Sequence, residues 1–364
     1  MSDNLKKYVC LNPFRYLDIQ PTSMWLCCPS WCPTNLRQDK NGDSIDYDKL
    51  WDQSEDLEKN WFSESAQKIR KSVTDGTYSY CDHKVCPSLS KLINTGKQPF
   101  GFIPIEEFNE KYDVDNFKGL PEDILFGFDR SCNLKCPSCR ATTIPNDDFD
   151  TAEHKSKEFI LNQIEDKFST SVENLMITGS GDPIYSKLYR EYLENFDSGK
   201  YSNMKEIHLI TNGVLLNEKM WDKLKAKPLI KRIEISIDAG TKDTYENVTR
   251  LNGNWDMLIE NLKFLNTLEH IEFATCSMVV SKYNYKEMEM FYKLIYDIFK
   301  ESKFFLTINF RQHVFWHSGL YSIQDVNNIA VFERNHPNFG DFMLELDKIH
   351  NKPKVVHNFH HLYN

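Results

Sequence analysis

"DILFGFDRSCNLKCPSCRAT", residues 123–142, joins an apolar run to a loop that carries Cys132, Cys136 and Cys139. The run reads as a strand, and the loop opens where the strand stops. Downstream the same alternation repeats. A helical stretch over about 152–168 precedes "NLMITGSGDP" (174–183), a strand ending in a glycine-rich turn, and another near 185–196 precedes "EIHLITNG" (206–213). A helix near 217–226 leads to "RIEISIDAG" (232–240), and the amphipathic "NWDMLIENLKFLNTL" (254–268) leads to "IEFATCSMVV" (271–280). A long helix over about 284–301 then leads to "FFLTINFRQ" (304–312). Six strands alternating with helices demand right-handed crossovers and a parallel sheet, which is the α/β class. Six units are too few for an eight-fold barrel, so the expected architecture is a partial, TIM-like (β/α)6 barrel. Function in such a fold gathers at the C-terminal strand ends, where the cysteine loop, GSGDP, TNG and SIDAG all fall.

The chain has 364 residues, 40% hydrophobic and 13% aromatic, ample for a sizeable core. Its net charge of −9 argues against a nucleic-acid grip built from bulk positive charge, and no nucleic-acid partner is expected. No apolar run approaches ~18 residues, so no membrane span is expected. The opening "MSDNLKKYVC" lacks the apolar core of a secretory signal, which points to a cytoplasmic protein. Nine of the ten cysteines lie in the first 139 residues, in two groups. In a reducing compartment that distribution favours metal ligation over a disulfide framework. The expected organisation is a small cysteine-rich domain over 1–90, a connector over 91–122 punctuated by Pro99, Pro104 and Pro121, the barrel over 123–320 and a C-terminal helical extension over 321–364.

Thiolates are soft ligands that suit iron–sulfur clusters and zinc. A structural zinc ion wants a fourth Cys or His nearby, and the nearest downstream histidine is His154. Three cysteines around a four-iron cluster leave one iron open, as a catalytic cluster requires. "CNLKCPSC" (132–139), directly after the first strand of a βα series, resembles the cluster loop of the radical S-adenosylmethionine (SAM) enzymes. The resemblance implies that Cys132, Cys136 and Cys139 hold a [4Fe–4S] cluster whose open iron is met by the amino and carboxylate groups of S-adenosyl-L-methionine. It further implies cofactor contacts from Gly179, Ser180, Gly181 and Asp182 in "GSGDP", where relatives carry GGEP or GxGEP. Asn212 in "TNG", Ser236 and Asp238 in "ISID", and Arg250 in "YENVTRLNG" complete that set, with Arg250 expected near the carboxylate. Ser138 stands where many members carry an aromatic residue.

The N-terminal cysteines, in "CLNPFRYLDIQPTSMWLCCPSWC" and "YSYCDHKVCPSL", resemble a SPASM or twitch module, here placed before the barrel. By that resemblance Cys10, Cys27, Cys81 and Cys86 hold an auxiliary [4Fe–4S] cluster. Cys28 competes with Cys27, because strand alternation lets one of two neighbours point inward. Cys32 is a further ligand or a spare, and a zinc knot is the alternative occupant. Cys276, on the fifth barrel strand, is either a buried core cysteine or a hydrogen donor for epimerisation. "INFRQHVFWHSG" (308–319) brings Arg311, His313, Trp316 and His317 towards the mouth, with Arg311 and His313 as candidate substrate contacts.

The resemblance implies reductive cleavage of S-adenosylmethionine to a 5′-deoxyadenosyl radical that abstracts hydrogen from a peptide or small-metabolite substrate. Oxidation, crosslinking and epimerisation are the possible outcomes, and a flavodoxin- or ferredoxin-type protein is the expected electron donor. The alternative is a non-catalytic iron–sulfur or zinc-binding protein on the same scaffold.

Overall fold

The alternation of apolar and amphipathic segments is carried into the computed structural model, which describes residues 3–39, 41–46, 48–178, 180–314 and 319–363. By contacts the chain divides into two compact units: Met1–Asp129 with Asp147–Met176 and Asp197–Lys205, and Arg130–Asn146 with Ile177–Phe196 and Glu206–Asn364. The boundaries expected from the sequence follow cysteine content, whereas this division follows packing.

The first unit contains β1 (Tyr8–Cys10), β2 (Tyr16–Ile19), β3 (Met24–Trp25), β4 (Phe102–Pro104) and β5 (Asp123–Phe126), and β6 (Asn174–Ile177) runs beside β5. β1 pairs antiparallel with β4. β2 lies parallel to β5, from Tyr16↔Asp123 to Ile19↔Phe126, and turns back into β3. Leu17, Ile19, Ile124 and Phe126 are buried, so alternate residues of both strands face the core. Helix Ala152–Lys167 starts where the Thr151 hydroxyl accepts the His154 N–H at 3.2 Å. A fully buried ion pair organises the loop after β3: Arg37 donates to both carboxylate oxygens of Glu55, at 2.9 and 2.6 Å, and lies over the Trp51 ring.

The second unit is built on five parallel strands in the order β7 (Glu206–Thr211), β8 (Ile230–Ser236), β9 (Phe273–Val280), β10 (Phe305–Gln312) and β11 (Val355–His357). Helices Trp255–Leu265 and Met288–Phe299 fall in the crossovers, the first capped by Asn254. β11 was not expected: "VVH" is too short for any periodicity, and it sits in the segment read as a helical extension.

Register gives this sheet two unlike faces. Ile235, Cys276 and Ile308 are aligned neighbours, as are Ser236, Ser277 and Asn309. The first row is buried and otherwise aliphatic, with Ile233, Met278 and Phe310 continuing it. The second row belongs to a polar face that also carries Glu234 and Arg311. Cys276 is fully buried on the aliphatic face. Of the two readings of Cys276, burial and pleat favour the core cysteine, because alternation points this thiol away from the polar face. Among the described residues no helix is long and apolar enough to cross a membrane.

Candidate active site and second cysteine site

The three-cysteine loop is pinned by its own backbone. Cys132 and Ile144 exchange N–H···O bonds of 2.8 and 3.2 Å, Lys135 N–H donates to Leu251 O at 2.9 Å, and the N–H groups of Cys139 and Arg140 both donate to Cys136 O. Leu134 is fully buried beneath it, and Cys132 and Cys136 are buried too.

Each sulfur is faced by a nitrogen donor from a different segment. Arg250 Nη1 lies 3.3 Å from Cys136 Sγ, Arg140 Nη2 lies 3.3 Å from Cys139 Sγ, and Asn212 Nδ2 lies 3.9 Å from Cys132 Sγ. Arg250 is delivered by a π-turn, its N–H donating to Tyr245 O at 2.8 Å, and such turns recur at functional sites. Asp238 holds that guanidinium at 2.7 Å while its other oxygen accepts the Val279 N–H at 2.8 Å. Asp238 has φ +62°, a left-handed conformation that Asp tolerates. Arg140 is fixed by carbonyls of Arg130 (2.9 Å) and Ser180 (2.7 Å). Sequence reading missed Arg140, because an arginine beside a cysteine carries no signal until its reach is known.

Asp182 has a different role from the one expected. One carboxylate oxygen accepts N–H bonds from Ile184 and Tyr185, both 3.0 Å, and the other accepts Thr211 Oγ1 and Asn212 N, both 2.8 Å. Four bonds occupy all four lone-pair positions, so no acceptor is left for a cofactor ammonium. Asp182 instead ties the turn after β6 to the end of β7. Asp182→Ala is expected to cost about 3 kcal/mol or more, read as a fall in thermal midpoint, while Asp182→Asn keeps part of the loss back. Ser180 and Gly181 donate their N–H groups to Thr178 Oγ1, at 2.9 and 2.8 Å, and Thr178 itself has φ +57°. Gly179 lies outside the described residues.

Ser236 is half-buried at the end of β8, on the polar face. There Glu234 accepts from Ser277 Oγ (3.1 Å) and pairs with Arg311 Nη2 (3.0 Å), so the cation expected to meet a substrate carboxylate already has a partner. His313 is 6% exposed, and neither ring nitrogen has a hydrogen-bond partner among the described residues. It faces a small cleft shared with Ser138, Asp238, Tyr283, Asn284 and Tyr321. Burial holds its pKa below the ordinary histidine value, against the pull of Asp238. A buried imidazole with two unused nitrogens beside the cysteine loop is a candidate ligand contact. Trp316 and His317 lie outside the described residues.

In the other unit, Cys10, Cys27, Cys32, Cys81 and Cys86 line one cavity. Cys28 is not among them. Its carbonyl accepts the N–H groups of Trp31 and Cys32 at 2.9 and 3.0 Å, a turn that swings Cys32 back towards Cys27. Asn12 Nδ2 donates to Cys27 Sγ at 3.5 Å. Burial, with repulsion from neighbouring cysteines, pushes the Cys27 thiol up to about 12 and Cys10 higher still. Such a cavity penalises bare thiolates, and a bound cation relieves that penalty.

The donor set fits a thiolate-held metal group. Five cysteines converge on one cavity, and soft thiolates suit iron–sulfur clusters and zinc.

Residues 128–295 match the family model described as "Radical SAM superfamily". Among curated proteins, the chain is 24% identical over 263 residues to the molybdenum cofactor biosynthesis protein 1 of Dictyostelium discoideum, covering 70% of this chain and 39% of that protein. It is 30% identical over 170 residues to a GTP 3′,8-cyclase of Alkaliphilus metalliredigens, covering 46% and 50% respectively. The chain thus spans half or less of the length of these relatives. Similar solved structures include anSMEcpe with bound AdoMet, with a TM-score of 0.40, 17% identity, and 64% of this chain against 62% of that one. TYW1 with a lysine–pyruvate adduct is another, with a TM-score of 0.36, 19% identity, and coverage of 60% and 69%. The three-cysteine loop and the donors gathered around it thus lie within a radical SAM domain, residues 128–295.

Proposed function

We propose that this protein cleaves S-adenosylmethionine reductively and abstracts hydrogen from a small-molecule substrate. Cys132, Cys136 and Cys139 hold the catalytic cluster in this reading, and an auxiliary cluster occupies the cavity of Cys10, Cys27, Cys32, Cys81 and Cys86. The observation that carries it is the convergence of Arg250, Arg140 and Asn212 on the three sulfurs, each at hydrogen-bond or near-contact distance. When bound, the cluster and S-adenosylmethionine supply a one-electron cleavage of the sulfonium bond and a 5′-deoxyadenosyl radical. The chain's own residues do the rest. Arg140 and Arg250 place positive charge beside two thiolates, which favours the reduced cluster. Asp238 aims Arg250, and Asp182 holds the turn after β6 against β7. Ser236 and the neutral His313 remain to bind and orient the cofactor or substrate, while the Asn212 amide is spent on Asn133 and the Val214 N–H.

A small metabolite is favoured over a peptide because one curated relative named above, the GTP 3′,8-cyclase, acts on GTP by its name, and GTP is the first substrate to try. A flavodoxin- or ferredoxin-type protein is the proposed electron donor.

The test uses protein purified without oxygen and reconstituted with iron and sulfide. About eight irons per chain are expected, with 5′-deoxyadenosine formed on adding dithionite and S-adenosylmethionine. Cys27→Ala and Cys32→Ala are expected to lower iron at the second site, whereas Cys28→Ala leaves it unchanged. Zinc in place of iron, or no cofactor cleavage by fully loaded protein, would sink this reading in favour of a binding protein.

A further inference from the structure

Helix Phe339–Ile349 runs out at His350, β11 ends at His357, and the terminal turn His360–Tyr363 opens at His360. Three separate elements thus deliver an imidazole to one point. His350 Nδ1 and His357 Nε2 stand 2.7 Å apart, and one ring nitrogen from each of the three histidines lies within 4.8 Å of the others. The rings of His357 and His360 stack with centroids 4.3 Å apart, while His350 sits 4.9 Å from His357 and 4.2 Å from Tyr363. Tyr363 is itself anchored, its hydroxyl donating to Asp347 at 2.8 Å.

We propose that His350, His357 and His360 form a site for one divalent transition cation of the zinc class, separate from both cysteine groups. Imidazole suits zinc, nickel and copper, whereas magnesium and calcium need oxygen ligands that this trio lacks. Three protein nitrogens leave a fourth tetrahedral position for water. Burial is graded to match: His357 is buried, His350 half-buried and His360 exposed, so the trio is backed by protein and open on one side.

The metal would replace a proton. Phe359 N–H donates to His357 Nδ1 at 3.2 Å, which puts the ring's own proton on Nε2, between His357 and His350. A cation takes that place, the two nitrogens part to about 3.3 Å, and the displaced proton moves to Nδ1, so that the ring stays a neutral imidazole. The cost is the long contact to Phe359. In return the cation would staple β11, an edge strand paired with β10 over only Ile308–Phe310, to the preceding helix and the terminal turn.

The test titrates zinc chloride calorimetrically into full-length protein without a histidine tag, already reconstituted with iron so that its cysteines are loaded. One zinc per chain is expected with iron content unchanged, and zinc is expected to raise the thermal midpoint. His360→Ala, at the exposed position, and His350→Gln are each expected to weaken zinc binding by at least about tenfold and to abolish the midpoint shift. Magnesium at the same concentration is expected to do neither. Zinc uptake that is equal in wild type and both variants, uptake accompanied by iron loss, or no uptake by iron-loaded wild type would each overturn the proposal.

Discussion

Replacing Cys136 by alanine is expected to remove about four irons per chain and to lower 5′-deoxyadenosine formation below about a thousandth of wild type. The thiol is buried, its carbonyl anchors the turn that presents Cys139 and Arg140, and its sulfur is the one that Arg250 reaches. Removing it takes away one of three protein ligands and leaves a buried guanidinium facing a void. Iron analysis and product chromatography on the same reconstituted sample separate the two consequences. Iron reduced by half with cofactor cleavage intact would mean that the loop is not the catalytic site. Cys27→Ala serves as the internal control, since it is expected to lower iron without changing the retention of the loop's own cluster.

Arg250→Ala is expected to destabilise the protein by about 3–5 kcal/mol, because it strands the Asp238 carboxylate without its partner. The two side chains are only 11% and 6% exposed, so water cannot replace the lost ion pair. In a unit of this size that loss lowers the thermal midpoint by about 10 °C. The double variant Arg250→Met with Asp238→Asn should recover about half of it. Asn tolerates the left-handed backbone at 238, and its side-chain oxygen still accepts the Val279 N–H. Equal midpoints for the single and double variants would show that the unpaired charge is not the cause. Both variants lose the donor at Cys136, so both are expected to bind iron less tightly than wild type.

The strands from β5 to β10 and the three-cysteine loop were legible because they are local patterns: alternating hydrophobicity, glycine at strand ends, and three thiols within eight residues. The same logic found two separate cysteine groups. It did not find β2 beside β5 or β11 beside β10, since pairing between segments far apart in sequence leaves no local trace. "YLDI" and "VVH" are too short to announce a strand, and they become strands when a partner supplies the hydrogen bonds.

Side-chain roles divide along the same line. That Cys27, Cys32 and three other cysteines share a cavity, with Cys28 outside it, depends on one turn at Cys28. Cys276 was readable as a strand residue, yet its face follows from register with Ile235 and Ile308. Asp182 was identified as the acidic residue of its turn, but four hydrogen bonds from the chain itself use its carboxylate. The sequence by itself determined which chemistry the chain carries, because ligand type and spacing along a loop are covalent facts. Only the tertiary structure decided which charged and polar groups are spent on holding that loop and which remain for a ligand, because hydrogen bonds and ion pairs form between residues that the fold alone brings within 3 Å.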